Sequence, residues 1–388
     1  MRLFKSRLLT RRVVFVVIIV VELLVLVTIL FFLLRNTNSK KTVVSTNEVL
    51  HPYLGYVDNL KTEPWLNPLG FNGELIKKNA SPNEYVVIIT GGSVSEQYFE
   101  AQKEELGTQI QQLLKNEKKV VVYSFGLGAY KQPQQLFVLN YLLALGYKVD
   151  LVINIDGFNE AAIPYAANYQ NGISTYYPWF WEAPLINTEG NRATYLATIK
   201  LEFIKKVALF FNSLPMNLGA AAGSVTGQIS NKIQLNLMEY LKGLEKGYGV
   251  TGPEPYMNLS KNEIMTDIVN VWFNSSLQMD KLAKANKIKY LEFLQPNQYL
   301  PNTKKFSEEE KEKYVKKDNA YAYATGLIYP QMIKKTDGLK KEGVSVYDLT
   351  EIFKNYSETL YNDDCCHYSS KGYALMTPYI MEAVAKEM

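Results

Sequence analysis

"YVVIITGGSVS" occupies residues 85–95. Its first six residues are apolar or β-branched at odd and even positions alike. A half-exposed strand would alternate, so this run fits a strand covered by helices on both faces, as in a parallel sheet. Four more runs read the same way: "KVVVYS" (119–124), "DLVINI" (150–155), "KYLEFL" (289–294) and "VSVYDL" (344–349). Between them lie "YFEAQKEELGTQIQQLLKN" (98–116), "QQLFVLNYLLALG" (134–146) and "IVNVWFNSSLQMDKLAKAN" (268–286), each with apolar residues at helical spacing. Strand–helix alternation predicts a three-layer α/β domain around a parallel five-stranded sheet.

The start of the chain predicts a compartment. "MRLFKSRLLTRR" carries Arg2, Lys5, Arg7, Arg11 and Arg12 within residues 1–12, and an apolar run follows from Val13 to Leu34. Such a run is long enough to cross about 30 Å of hydrocarbon at about 1.5 Å per residue. The basic flank is expected to stay in the cytoplasm, which places the remainder outside. A cleaved signal peptide would have a shorter apolar run and a small-residue cleavage site, and neither is visible. Glu22 lies inside the run and reads as a tolerated neutral carboxyl. The expected organisation is a basic segment at 1–12, a transmembrane anchor at 13–34, a polar linker at 35–50 and one large extracytoplasmic domain at 51–388. The partner implied is a membrane, through the N-terminal helix.

Net charge is +4 over 388 residues, too small to call for a nucleic-acid partner. From about 180 to 260 no strong strand is seen. Leu196, Ile199, Phe203, Val207, Phe210 and Leu214 form a helical stripe there, so a helical insertion is expected, with the stripe covering core or lying on a bilayer. "SEEEKEKYVKKD" (307–318) opens with Ser307 and Glu310 spaced as a capping box and reads as a solvated helix.

Ligands of open parallel sheets bind beyond the carboxyl ends of the strands. After the first run comes "TGGSVS" with Ser93. "FGLGAY" with Gly128 follows the second, and "DGFNE" with Asn159 follows the third. Past one helix from the fifth comes "YNDDCCHYSSKGY" (361–373), holding His367, one of only two histidines. Singly, each has an ordinary explanation: a turn serine, a turn glycine, a helix cap, a structural histidine. Together they offer a hydroxyl, a backbone donor, an amide and an imidazole along one sheet edge. Serine needs a neighbouring base to act as a nucleophile, and imidazole titrates in the right range.

That order, Ser–Gly–Asn–His, resembles the SGNH hydrolases, the GDSL-like esterases. "GGS" resembles their first block, Gly128 the second-block glycine, "GFN" the third block and "DCCH" the last, over about residues 51–388. The resemblance implies a flavodoxin-like sheet, Ser93 as nucleophile, and His367 as base oriented by Asp364. It also implies an oxyanion hole made by Ser93, Gly128 and Asn159. Asp363 competes as orienter, one residue too far for the family spacing. Gly92 stands where the usual block has Asp, and the long insertion is not part of the minimal fold.

Two other readings of "DDCCH" compete. Five consecutive residues converge poorly on one ion, and no second His/Cys cluster exists, so no metal and no cofactor are expected. Cys365 and Cys366 can oxidise, but neighbouring Cα atoms about 3.8 Å apart fall below the usual disulfide span of about 4.4–6.8 Å. A bond there would be strained; two small side chains packed under the loop is the alternative. His51 reads as part of a structural turn in "HPYLGY".

The expected function is a membrane-anchored serine esterase or O-acyltransferase working through an acyl-enzyme on an ester-bearing substrate. Location and the aromatic stretch "YAANYQNGISTYYPWFWEAP" (165–184) point toward O-acyl groups of an envelope glycan. A catalytically silent protein of the same fold that binds glycan or a partner is the alternative. A lipid esterase is a third.

Overall fold

A computed structural model describes residues 48–179 and 259–388 apart from Thr62, Asn79, Asn116, Gly172 and Lys317, together with Lys232 and Leu235. The expected basic segment and anchor, and almost all of the expected insertion with its stripe, lie outside the described residues. Among the described residues no helix is long and apolar enough to cross a membrane.

The five apolar runs are five strands. They are β3 (Glu84–Gly91), β4 (Lys119–Gly126), β5 (Leu151–Asp156), β6 (Lys289–Leu294) and β7 (Val346–Asp348), after a small antiparallel pair β1 (Glu48–His51) and β2 (Gly55–Asp58). The large sheet runs β4-β3-β5-β6-β7 with every pairing parallel. The α-helices bounded among the described residues are α1 (Ser93–Leu113), α2 (Gln134–Ala144), α3 (Phe158–Ala162), α4 (Lys261–Ala285), α5 (Glu308–Lys313), α6 (Ala320–Lys341) and α7 (Ser370–Glu387).

Alternate residues of one strand feed opposite cores. Val86 and Ile88 of β3 pack with Leu139 and Leu142 of α2, Ile264 and Trp272 of α4, and Ile328 and Met332 of α6. Val87 and Ile89 pack with Val94, Tyr98 and Leu106 of α1 and with Met376 and Ile380 of α7. The sheet is therefore covered on both faces, which is why its strands lack polar alternation. All six residues of β5 are buried, and truncating one such Val or Ile typically costs about 2–5 kcal/mol once the cavity is included.

From β3 the chain steps to β4 on one side, and from β5 it steps to β6 on the other. A reversal of this kind opens a crevice at the carboxyl ends of the two central strands. Ser93 follows β3 and Asn159 follows β5, so both fall at that crevice.

The segment read as a solvated helix at 307–318 is shorter and partly internal. Its capping box forms, with Ser307 accepting from the Glu310 N–H, but α5 is only six residues long and Glu310 is fully buried.

Candidate active site

β3 ends at Gly91 with φ +136°. A Cβ there would lie 2.3 Å from the Ile155 carbonyl oxygen, so the strand can turn into α1 only through glycine. Gly92 is the N-cap, and Ser93 is the first helical residue. The turn is fixed by three bonds to the Gly92 carbonyl: Ser95 Oγ at 2.6 Å, Ser95 N–H at 3.1 Å and Glu96 N–H at 3.2 Å. The hydroxyl of Ser93 thus stands at the positive end of a long helix.

His367 arrives from the other end of the chain. Its Nε2 lies 2.7 Å from Ser93 Oγ, across 274 residues of sequence. The loop that carries it has a closed neck. Tyr361 and Tyr368 form an antiparallel bridge, the Ser369 N–H donates to the Leu360 carbonyl at 2.7 Å, and the Asn362 N–H donates to the His367 carbonyl at 3.2 Å.

The orienting carboxylate is Asp363, and here the expectation of Asp364 is corrected. Asp363 Oδ2 makes a very short contact with His367 Nδ1. Its Oδ1 accepts the backbone N–H groups of Cys365, Cys366 and His367 at 2.9, 3.0 and 3.2 Å. One aspartate therefore caps the turn and also holds the ring, which requires the longer spacing. Asp364 is exposed, and its carbonyl, not its carboxylate, is engaged, by the Tyr299 hydroxyl. Burial pushes the Asp363 carboxyl up, but the hydrogen bond and charge of His367 outweigh it and hold it at about 2.

Three consecutive residues after β6 brace this loop, and the sequence reading did not find them. The Asn297 amide donates to the Cys365 carbonyl at 3.3 Å and the Gln298 amide to the Asp363 carbonyl at 3.1 Å, while Tyr299 takes Asp364. Only the polar run "QPNQY" directly after a strand end signals them. Behind them, Glu310 Oε1 accepts the Leu360 and Tyr361 N–H groups at 2.9 and 3.0 Å, and its Oε2 pairs with Lys304 at 2.7 Å.

Of the expected oxyanion donors, Gly128 and Asn159 belong to segments that meet residues 91 and 92, just before Ser93. The Leu127 N–H donates to the Gly91 carbonyl at 3.3 Å, which draws the 127–130 turn alongside the turn that carries Ser93. Gly128 accepts from the Tyr56 hydroxyl at 2.7 Å through its carbonyl, and neither its N–H nor that of Ser93 is hydrogen-bonded among the described residues. Tyr56 is a further residue the sequence reading missed as a support of this turn. Asn159 donates one amide proton to the Tyr130 carbonyl at 2.8 Å. A Cβ on Gly92 would fall 2.0 Å from Asn159 Nδ2, so the amide lies against the residue before Ser93 with its second proton unassigned.

No family model and no curated protein matches this chain. The site therefore rests on its own geometry.

Cys365 and Cys366 are free, with sulfurs 2.9 Å apart. Their sulfurs and a ring nitrogen of His367 lie within 4.8 Å of one another, but both nitrogens of that ring already face Asp363 and Ser93. His51 serves a turn, accepting the Tyr53 and Leu54 N–H groups at 3.3 and 3.0 Å.

The described part of the aromatic stretch makes several separate contacts. Tyr165 stacks on Tyr169, and Tyr176 bonds Asp267. Trp179 packs with Ala129, Ile163, Ala167 and Tyr321 in a small apolar cluster next to Gly128. Tyr321 also meets Phe158, the neighbour of Asn159. Phe180 and Trp181 lie outside the described residues.

Proposed function

We propose that this chain is a serine hydrolase or acyltransferase of the SGNH type acting on ester-bearing substrates. The observation that carries the reading is the relay Asp363–His367–Ser93 at the switch point of a parallel sheet. Ser93 Oγ attacks the ester carbonyl while His367 Nε2 takes its proton, and Asp363 holds the tautomer with Nδ1 protonated. The Ser93 and Gly128 N–H groups and the second amide proton of Asn159 receive the developing oxyanion, at the N-terminus of α1. The alcohol leaves with the proton from His367, and an acyl-Ser93 ester remains. Water or a second hydroxyl, deprotonated by His367, then accepts the acyl group.

Supporting the SGNH assignment are the four residue types in family order and their positions after β3, β4, β5 and β7. The apolar cluster of Trp179 and Tyr321 beside Gly128 supports a substrate with an apolar or sugar-ring face. The basic and apolar pattern of residues 1–34 supports an anchored, extracytoplasmic enzyme, for which O-acyl groups of an envelope glycan are the substrate we favour.

The test is labelling of the full-length protein with a fluorophosphonate probe, followed by peptide mass spectrometry. The expected result is an adduct on Ser93 that is absent in His367→Ala. A folded protein that takes no label at Ser93 would leave a silent binding protein as the reading.

A further inference from the structure

The mechanism leaves one pair of reactive side chains unused. Cys365 and Cys366 sit on the turn that carries His367, with their sulfurs in contact at 2.9 Å. Cys365 is partly exposed, while Cys366 is 1% exposed and packs in the core with Tyr361 and Tyr368. We propose that the two form a dithiol modification site, oxidised reversibly by a disulfide-bearing oxidant, and that oxidation silences the Ser93–His367 pair. The second clause rests on the function proposed above; the first does not.

Access sets the order of events. Burial first, and then contact with Cys365, push the Cys366 thiol up, so the Cys365 thiolate is the attacking group. It attacks one sulfur of the oxidant, forms a mixed disulfide and expels one small thiol. Cys366, giving up its proton, attacks Cys365 Sγ and expels the second. The protein loses two electrons and two protons, the oxidant's S–S bond is reduced, and two small thiols are released.

The coupling to His367 is geometric. Cα atoms across a trans peptide are about 3.8 Å apart, and a disulfide ordinarily spans about 4.4–6.8 Å. The new bond therefore reorganises the peptide between the two cysteines. The N–H of that peptide belongs to Cys366 and is bound to Asp363 Oδ1 at 3.0 Å. The same oxygen holds the N–H groups of Cys365 and His367, so the change reaches the carboxylate that seats the imidazole. A misplacement of about 1 Å is enough to cost a catalytic pair about 10²-fold.

The experiment uses the full-length protein, reduced and then exposed to oxidised glutathione, with two readouts. The first is the mass of the peptide spanning residues 361–373; the second is the rate of fluorophosphonate labelling at Ser93. We expect the peptide to lose two hydrogen atoms and labelling to fall by about tenfold or more, with both restored by a thiol reductant. Cys365→Ser should label at the wild-type rate with and without oxidant. A peptide that keeps both thiols, or carries only glutathione adducts, overturns the dithiol site. A disulfide with unchanged labelling overturns the silencing. If reduced protein takes no label, the proposed function and the silencing fall together, and the peptide mass still decides the dithiol.

Discussion

Asp363 does two things at once, and that explains why residue counting misjudged it. Either aspartate of the "DD" pair can reach an imidazole three or four residues on. The choice is made by three backbone N–H groups that converge on Asp363 Oδ1, a turn preference of Asp that acts through the main chain and leaves little trace in spacing. The meeting of Ser93 and His367 was legible because each lies beyond the carboxyl end of a strand. Asp363→Asn should therefore lower kcat/KM by about 10²–10⁴-fold, whereas Asp364→Asn should stay within about twofold; ester hydrolysis by the two variants checks this. The same carboxylate predicts an acid response. Its folded value of about 2 lies below the ordinary 3.8, so the unfolded chain binds the extra proton across that window. The stability it contributes is full above pH 3.8 and is lost as pH falls toward 2. The melting-temperature gap between wild type and Asp363→Asn should narrow over that range.

At the scale of elements, the five strands were legible because each is a short apolar run, with both faces covered along most of β3, β5 and β6. β1 and β2 were not, because "EVLH" and "GYVD" are four residues each and flank a Pro-Tyr-Leu turn that reads as loop. Yet β2 delivers Tyr56 to Gly128. α5 was read as solvated because its charge pattern conceals the inward turn of Glu310. Glu310 and Lys304 are both fully buried, and Glu310 also holds the segment entering the His367 loop. Glu310→Ala leaves a buried ammonium unpaired and should destabilise by about 3–5 kcal/mol in chemical denaturation. The turn from β3 to α1 gives a second prediction. Gly92→Asp, which would introduce the residue found at this place in the hydrolases the sequence resembles, places a Cβ 2.0 Å from Asn159 Nδ2 and 3.1 Å from the Tyr130 carbonyl oxygen. Overpacking of this kind costs about 1–3 kcal/mol. It also displaces an expected oxyanion donor, so labelling of Ser93 should slow by about 10²-fold or more while the melting temperature drops.

At the scale of the whole molecule, and among the described residues, Asp156 on β5, Glu160 on α3 and Glu292 on β6 form a cluster of carboxyls buried against the sheet. Burial is the first cause that raises each, and Glu292 is pushed to about 7 despite bonds from Tyr290 and Asn154. A folded value above the ordinary 4.5 means the native state keeps a proton that the unfolded chain releases. Stability therefore falls as pH rises from 4.5 through about 7. Glu292→Gln cannot ionise, so its melting temperature relative to wild type should climb between about pH 5 and about pH 8. The location of this cluster was not legible, since its members are far apart in sequence and meet only once the strands are paired. The proposed catalytic pair shares that property. Ser93 and His367 are separated by 274 residues. On a ribosome, a growing chain thus displays Ser93 long before its proposed base has been synthesised, and cutting anywhere between them and removing the later piece would leave the serine without that base. The proposed activity would therefore report that both distant segments are present in one folded molecule.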